Sequence, residues 1–217
     1  MANKLIISNY KDHLVSAIFQ ERNIIQIDFE EEQESRLLGN IYVGKVQNIV
    51  KNINAAFVEL APGVMGYLSL GEVTNPIYTN HNSNSKKVNI GDELIVQVIK
   101  DAVKTKAPVV TTNINIIGKY VVLIHGSSHI GISAKIQNET KREVLRKMME
   151  PFKQESYGFI VRTNAQEIEA SCIEQEVMTL KRIYDEIIEY GVHKTRFTLL
   201  HRSQPTYICN IRDQLAD

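Results

Sequence analysis

Two aromatic rings are the first feature able to do chemistry. Phe57 and Tyr67 lie in apolar runs on either side of Ala61-Pro62-Gly63. Proline suits the opening of a tight turn, and glycine suits its left-handed closing position. Pairing Leu60 with Val64 across a three-residue loop sets Glu59 against Met65 and Phe57 against Tyr67. Alternation then puts Phe57, Glu59, Met65 and Tyr67 on one face, and Val58, Leu60, Val64 and Leu68 on the other. The ring pair admits two readings. As a cross-strand pair it stabilises a sheet by roughly 0.2–1 kcal/mol. As a stacking platform for unpaired bases, each contact contributes about 1–3 kcal/mol.

A second constellation suits phosphate. Gly158-Phe159-Ile160-Val161 reads as a buried strand running directly into Arg162-Thr163, with Asn164 and Glu167 at capping-box spacing before a helix. Arginine gives bidentate charge-assisted bonds, a threonine hydroxyl adds a donor, and a helix N-terminus presents backbone N–H groups. The same residues also fit a surface cation followed by an ordinary turn. Lys106, Lys135 and His129 are further candidates to supplement a phosphate site, though each taken singly reads first as a simply exposed side chain. Glu30-Glu31-Glu32-Gln33-Glu34 fits either a divalent metal or a solvated acidic turn. There is no glycine-rich nucleotide loop, HExxH or GxSxG, and the six histidines show no dyad or metal-ligand spacing. Binding groups are visible, catalytic machinery is not.

The elements that must position these groups follow from patterning. Leu5–Ile7, Leu14–Phe19 and Ile24–Phe29 form a predicted three-stranded meander. Asn40–Val50 is a long strand with Gly44 as its expected bulge or bend, followed by the aromatic hairpin. Val73–Asn89 is polar and reads as an extended loop, and Leu94–Lys100 and Val109–Thr112 return as strands. That order fits a five-stranded OB-type barrel. Beyond it come a strand over Ile116–Ile124 interrupted by glycine, and a short extended piece at Gly131–Ile136. A helix capped at Thr140 and stopped by Pro151 follows. Ala170, Ile173, Val177, Leu180, Tyr184 and Ile187 recur at steps of three and four and predict a long amphipathic helix ended by Gly191. Phe197–Leu200 and Thr206–Ile211 read as strand-like. The fold class expected is α+β.

Composition sets the outer bounds. The 217 residues are 43% hydrophobic and 23% charged, ordinary for a globular chain. No apolar run reaches the roughly 18 residues of a membrane span, and the N-terminus has no signal-peptide pattern. Cys172 and Cys209 are far from any metal-ligand spacing and read as reduced thiols, which points to the cytoplasm. Basic and acidic residues both number 25, so net charge identifies no partner. Its distribution says more, with −4 over residues 1–35 and +3 over residues 36–106, where the aromatic hairpin lies.

Gly39–Val46, Ala55–Glu59 and Gly66-Tyr67-Leu68 resemble the RNA-binding OB barrel of the bacterial ribonuclease E/G family, and Gly131-Ile132-Ser133 and Gly158–Thr163 resemble the segment that follows it. The resemblance, nearer the ribonuclease G type, runs over nearly the whole chain. It implies an RNase-H-like subdomain begun by residues 1–35 and resumed, cut short, at 195–217. It also implies a barrel over 36–112 and a five-prime-end sensor over 113–194. It further implies single-stranded RNA on Phe57, Tyr67 and Lys106. A five-prime monophosphate would sit at Arg162 and Thr163, in a pocket shaped by Gly118 and Val122 with Lys135 nearby. Ala134-Lys135 stands where an arginine pair is familiar from the ribonuclease E branch. The family's magnesium-dependent catalytic domain and zinc-linking cysteine pair, through which full-length subunits associate, are not among these residues. The chain by itself is therefore expected to bind RNA without cutting it and to need no cofactor. A stand-alone RNA-binding protein and a protein-interaction module are the alternatives.

Overall fold

The computed structural model describes residues 3–31, 37–81 and 87–214. The chain divides into two compact units, Met1–Arg36 with Gln204–Asp217, and Leu37–Ser203.

In the first unit, strands β1 (Asn3–Tyr10), β2 (His13–Gln20) and β3 (Asn23–Glu31) form the expected antiparallel meander. Its two tight turns place Lys11 and Glu21 at positive φ, 55° and 58°. Thr206–Ile211, read as strand-like, belongs to a helix, Thr206–Gln214. Tyr207, Ile208 and Ile211 recur at helical spacing, and a run this short carries too little periodicity to separate the two states. Asn210 Nδ2 from this helix donates to Asp28 Oδ2 on β3 at 2.6 Å. The side chains of the acidic run Glu30–Glu34 lie outside the described residues.

The second unit begins with β4 (Ile41–Val50), β5 (Ala55–Ala61), β6 (Val64–Ser69), β7 (Tyr78–Asn80), β8 (Glu93–Lys100) and β9 (Val109–Thr111). The order β4-β5-β6-β9-β8, closed by pairing of β4 with β8, makes the five-stranded barrel. β6 and β9 run parallel and the other barrel neighbours antiparallel. Val46, Val58, Leu60, Leu68, Leu94, Val96, Val98 and Val110 fill its interior. Each comes from the alternating apolar set of its strand, which is why the sequence closes inward.

The strand details correct three expectations. The hairpin turns on Pro62-Gly63 alone, with Ala61 opposite Val64 and a register shift between Glu59 and Ala61. Leu60 is therefore the bulged residue; it stays buried while Glu59–Met65 and Phe57–Tyr67 pair as the alternation requires. Gly44 is no bulge. Its ideal Cβ would collide with Val58 Cγ1 and come within 3.2 Å of Val96 Cγ2, so the glycine lets β4 pass close over the barrel interior. The irregularity in β4 lies between Val46 and Asn48. Within the polar stretch Val73–Asn89, β7 pairs with β8, Tyr78 opposite Leu94, and residues 82–86 lie outside the described residues.

A second sheet completes the unit. β10 (Asn115–Ile117), β11 (Val121–His125), β12 (Ile130–Ile132) and β13 (Tyr157–Val161) stand in the order β10-β11-β13-β12, with β12 and β13 parallel. Helices α1 (Glu139–Met149) and α2 (Ala170–Gly191) pack against it, and β14 (Leu199–His201) pairs with β4. Ile173, Val177, Leu180, Tyr184 and Ile187 of α2 are buried with Val121, Leu123, Phe159 and Val161 of the sheet. The glycine expected to interrupt one strand instead opens the turn between β10 and β11. α1 is capped by Asn138, whose side chain accepts from Lys141 N at 3.0 Å, two residues before the expected Thr140.

Candidate functional site

The aromatic face of the barrel is a short grid of half-buried side chains with the exposed Asn48 at its edge. Asn48, Phe57, Tyr67 and Val109 stand in register across β4, β5, β6 and β9, and Lys45, Glu59 and Met65 form the adjacent row. The Phe57 and Tyr67 rings are 6.2 Å apart at 79°, an edge-to-face pair. Edge-to-face packing stabilises the pair itself and leaves the two ring planes differently oriented. Glu59 is tied down in this row, its carboxylate accepting from Gln47 Nε2 at 2.5 Å and from Gly63 N at 3.2 Å. Lys106 is exposed in the tight turn bridged by Val103 and Lys106. Two residues later, the carbonyl of Pro108 accepts from Tyr67 N at 2.8 Å, so the turn carrying Lys106 runs beside the aromatic row.

The second locus is a cleft of about 490 Å³ lined by Ser133, Lys135, Ile160, Arg162, Thr163 and Asn164. Parallel pairing makes it. Ile132 stands opposite Val161, so the residues that follow each strand emerge together. Ser133 N donates to Val161 O at 2.9 Å, and the hydroxyls of Ser133 and Thr163 are 3.1 Å apart. The turn at 133–136 is fixed from α1, because Arg142 Nη1 donates to the carbonyls of Ser133 and Ile136 at 2.8 and 3.0 Å. Lys135 projects from that turn and is exposed.

Arg162 is held by backbone at both ends. Its N–H donates to Tyr120 O at 2.7 Å, and Nη1 donates to Gly118 O at 2.5 Å and Lys119 O at 3.3 Å. The guanidinium plane is thus set by the β10–β11 turn. Gly118 and Val122 are not part of the lining. Gly118 acts on it through Arg162, and Val122 stands opposite the lining residue Ile160. His129 is exposed and is not among the lining residues.

Local structure here departs from expectation. Thr163–Glu167 is a five-residue 3-10 turn, and α2 begins later, at Ala170. The long helix therefore does not begin directly behind Arg162-Thr163; a short 3-10 turn stands between them. Ser133 and Asn164 are lining residues that the sequence pattern does not mark: Asn164 simply follows Thr163 in the chain, whereas Ser133 is brought there by the pairing of β12 with β13. Among the described residues, no three His, Cys, Asp or Glu side chains are arranged to hold a metal ion.

Residues 38–113 match the S1 RNA-binding domain, and residues 115–217 match the ribonuclease E/G family. Ribonuclease G of Escherichia coli (strain K12) is 30% identical over 173 residues, 76% of this chain and 35% of that protein. Ribonuclease G of Haemophilus influenzae is 28% identical over 182 residues, 80% of this chain and 37% of that protein. A ribonuclease E/G-like protein of Porphyra purpurea is 31% identical over 180 residues, 81% of this chain and 35% of that protein. The chain therefore spans a little over a third of the length of these relatives. No helix among the described residues is long and apolar enough to cross a membrane.

Proposed function

We propose, for a chain that belongs to the ribonuclease E/G family and carries an S1 RNA-binding domain ahead of the family region, that it holds single-stranded RNA and senses its five-prime end. Phe57, Tyr67 and Lys106 contact the RNA on the barrel, and the cleft at Arg162 and Thr163 takes a terminal monophosphate. The observation that carries this reading is the convergence of Arg162, Thr163, Ser133 and Lys135 on one cleft, in the same unit as a barrel that matches the S1 RNA-binding domain. A guanidinium, two hydroxyls and an ammonium make a donor set for a phosphate dianion.

In this reading, 36–112 is the barrel, 113–194 the sensor, and 1–35 with 195–217 belong to an RNase-H-like subdomain. Phosphodiester hydrolysis, and any magnesium, zinc or subunit association it needs, belongs to the length of the relatives that this chain does not span. The whole protein acts in RNA processing and decay in the cytoplasm. The chain alone binds and discriminates.

The test is fluorescence anisotropy with one short single-stranded RNA bearing either a five-prime monophosphate or a five-prime hydroxyl. Hydrogen bonds to a charged group contribute about 1.5–3 kcal/mol, so Arg162→Ala weakens the monophosphorylated RNA by about ten- to hundredfold. Equal binding of both RNAs by the unaltered chain defeats the sensing role and leaves the barrel as the RNA site.

A further inference from the structure

The turn that fixes Arg162 is itself fixed from the far side by one carboxylate. Glu176, on α2, accepts from three consecutive backbone N–H groups: Lys119 N at 2.5 Å, Tyr120 N at 2.7 Å and Val121 N at 2.9 Å. One oxygen takes the first bond and the other takes the next two. Successive N–H groups converge on a single anion only where the chain curls around it, as in an anion-binding nest. Gly118 completes the fit, because a Cβ there would sit 2.5 Å from the Glu176 carboxyl carbon.

The same short turn presents its carbonyls elsewhere. Gly118 O and Lys119 O accept from the Arg162 guanidinium. The peptide unit joining Lys119 to Tyr120 therefore offers its N–H to Glu176 and its carbonyl to Arg162, and one cannot reorient without the other. α2 does not depend on Glu176 for its own packing. Its buried stripe is Ile173, Val177, Leu180, Tyr184 and Ile187, and Glu176 is only half-buried on the flank of that stripe.

We propose that Glu176 is a positioning residue for the five-prime phosphate site: by anchoring residues 119–121 it holds the two carbonyls that set the Arg162 guanidinium at the cleft. The inference rests on the sensing role proposed above. It makes α2 part of the sensor, although no α2 residue lines the cleft.

Glu176→Gln tests it on the full chain. Glutamine keeps the size of the side chain but has one accepting oxygen, so at least one of the three N–H groups loses its partner. The readout is the ratio of dissociation constants for hydroxyl and monophosphorylated RNA. It is measured for the unaltered chain, Glu176→Gln, Arg162→Ala and the double variant. The expected result is a ratio lowered about tenfold by Glu176→Gln, equivalent to ~1.4 kcal/mol, with no further loss when it is added to Arg162→Ala. Glu176→Asp, which keeps both oxygens on a shorter stem, retains more of the ratio than Glu176→Gln and serves if the latter fails to fold.

Full discrimination by Glu176→Gln, alongside its loss in Arg162→Ala, overturns the positioning role and leaves the sensing role standing. Equal weakening of both RNAs assigns Glu176 to stability alone and also overturns it. No discrimination by the unaltered chain removes the sensing role and this inference with it.

Discussion

Replacing Gly118 by alanine puts a methyl group where the Glu176 carboxylate now lies. The added Cβ would stand 2.5 Å from Cδ and 2.6 and 2.8 Å from the two carboxylate oxygens, so the carboxylate must retreat. Its three bonds, at 2.5 to 2.9 Å, have no slack for a movement of that size. Tyr120 and Val121 are buried residues, so water reaches their N–H groups poorly. An unsatisfied buried donor costs about 1–3 kcal/mol, and the low end applies beside a half-buried carboxylate, giving roughly 3 kcal/mol for the three. Alanine recovers about 0.4–1 kcal/mol by restricting the unfolded chain, because Gly118 is not at positive φ. The expected net loss is roughly 2–3 kcal/mol, which lowers the midpoint of thermal unfolding by about 5–10 °C for a unit of this size. The chain contains nine tyrosines and no tryptophan, so urea unfolding is followed by circular dichroism and tyrosine fluorescence. The decisive arm repeats the substitution in a Glu176→Ala background, where the methyl group meets no carboxylate, the loss disappears and only the gain of about 0.4–1 kcal/mol from the unfolded chain remains. A loss that persists undiminished there refutes the steric argument.

Other outcomes follow from the same geometry. His125 Nε2–H donates to Asn75 O at 2.8 Å, and in the neutral ring Nδ1 accepts from the Tyr184 hydroxyl at 2.7 Å. Burial holds its pKa below the ordinary value, opposed by the bond to Asn75. Its contribution is complete above about pH 6.5 and is lost as pH falls through the depressed value. His201, depressed by burial, acts in the same sense. Urea midpoints that fall from pH 7.5 to pH 5, with a shallower fall in His125→Gln, check this; an identical fall in the variant counts against it. Phe57→Ala removes one member of the ring pair and weakens single-stranded RNA by about 1–3 kcal/mol whatever the five-prime group, read by anisotropy. Lys106→Ala weakens all RNAs alike and makes the slope of log affinity against log salt shallower by about 0.7. In Gly158→Ala the new Cβ collides with the His129 carbonyl and lies 2.6 Å from Ser127 O, both backbone atoms. Separation of β12 from β13 follows, and amide exchange at Ile132 and Ser133 accelerates.

Much of this molecule was legible from side-chain period alone. Alternation around Phe57 and Tyr67 identified the two faces of β5 and β6, and steps of three and four from Ala170 to Ile187 identified α2. Both patterns survive folding because one face of each element must leave water, and that requirement acts on neighbours in sequence. Local turn geometry was less legible. Pro62-Gly63 closes the hairpin in two residues, Thr163 opens a 3-10 turn, and Thr206–Gln214 coils into a helix. In such short stretches, small local preferences are outweighed by the packing around them.

The cleft belongs to tertiary structure. Ser133 meets Thr163 because β12 and β13 run parallel, Arg142 anchors the Ser133–Ile136 turn from a helix, and Glu176 reaches back to the N–H groups of Lys119, Tyr120 and Val121. A backbone N–H or carbonyl is the same group in every residue, so its distant partner leaves no mark in the sequence around it. The residue types of a phosphate site were present in the sequence. Their convergence came from strand pairing and buried backbone hydrogen bonds, which exist only once the chain has closed on itself.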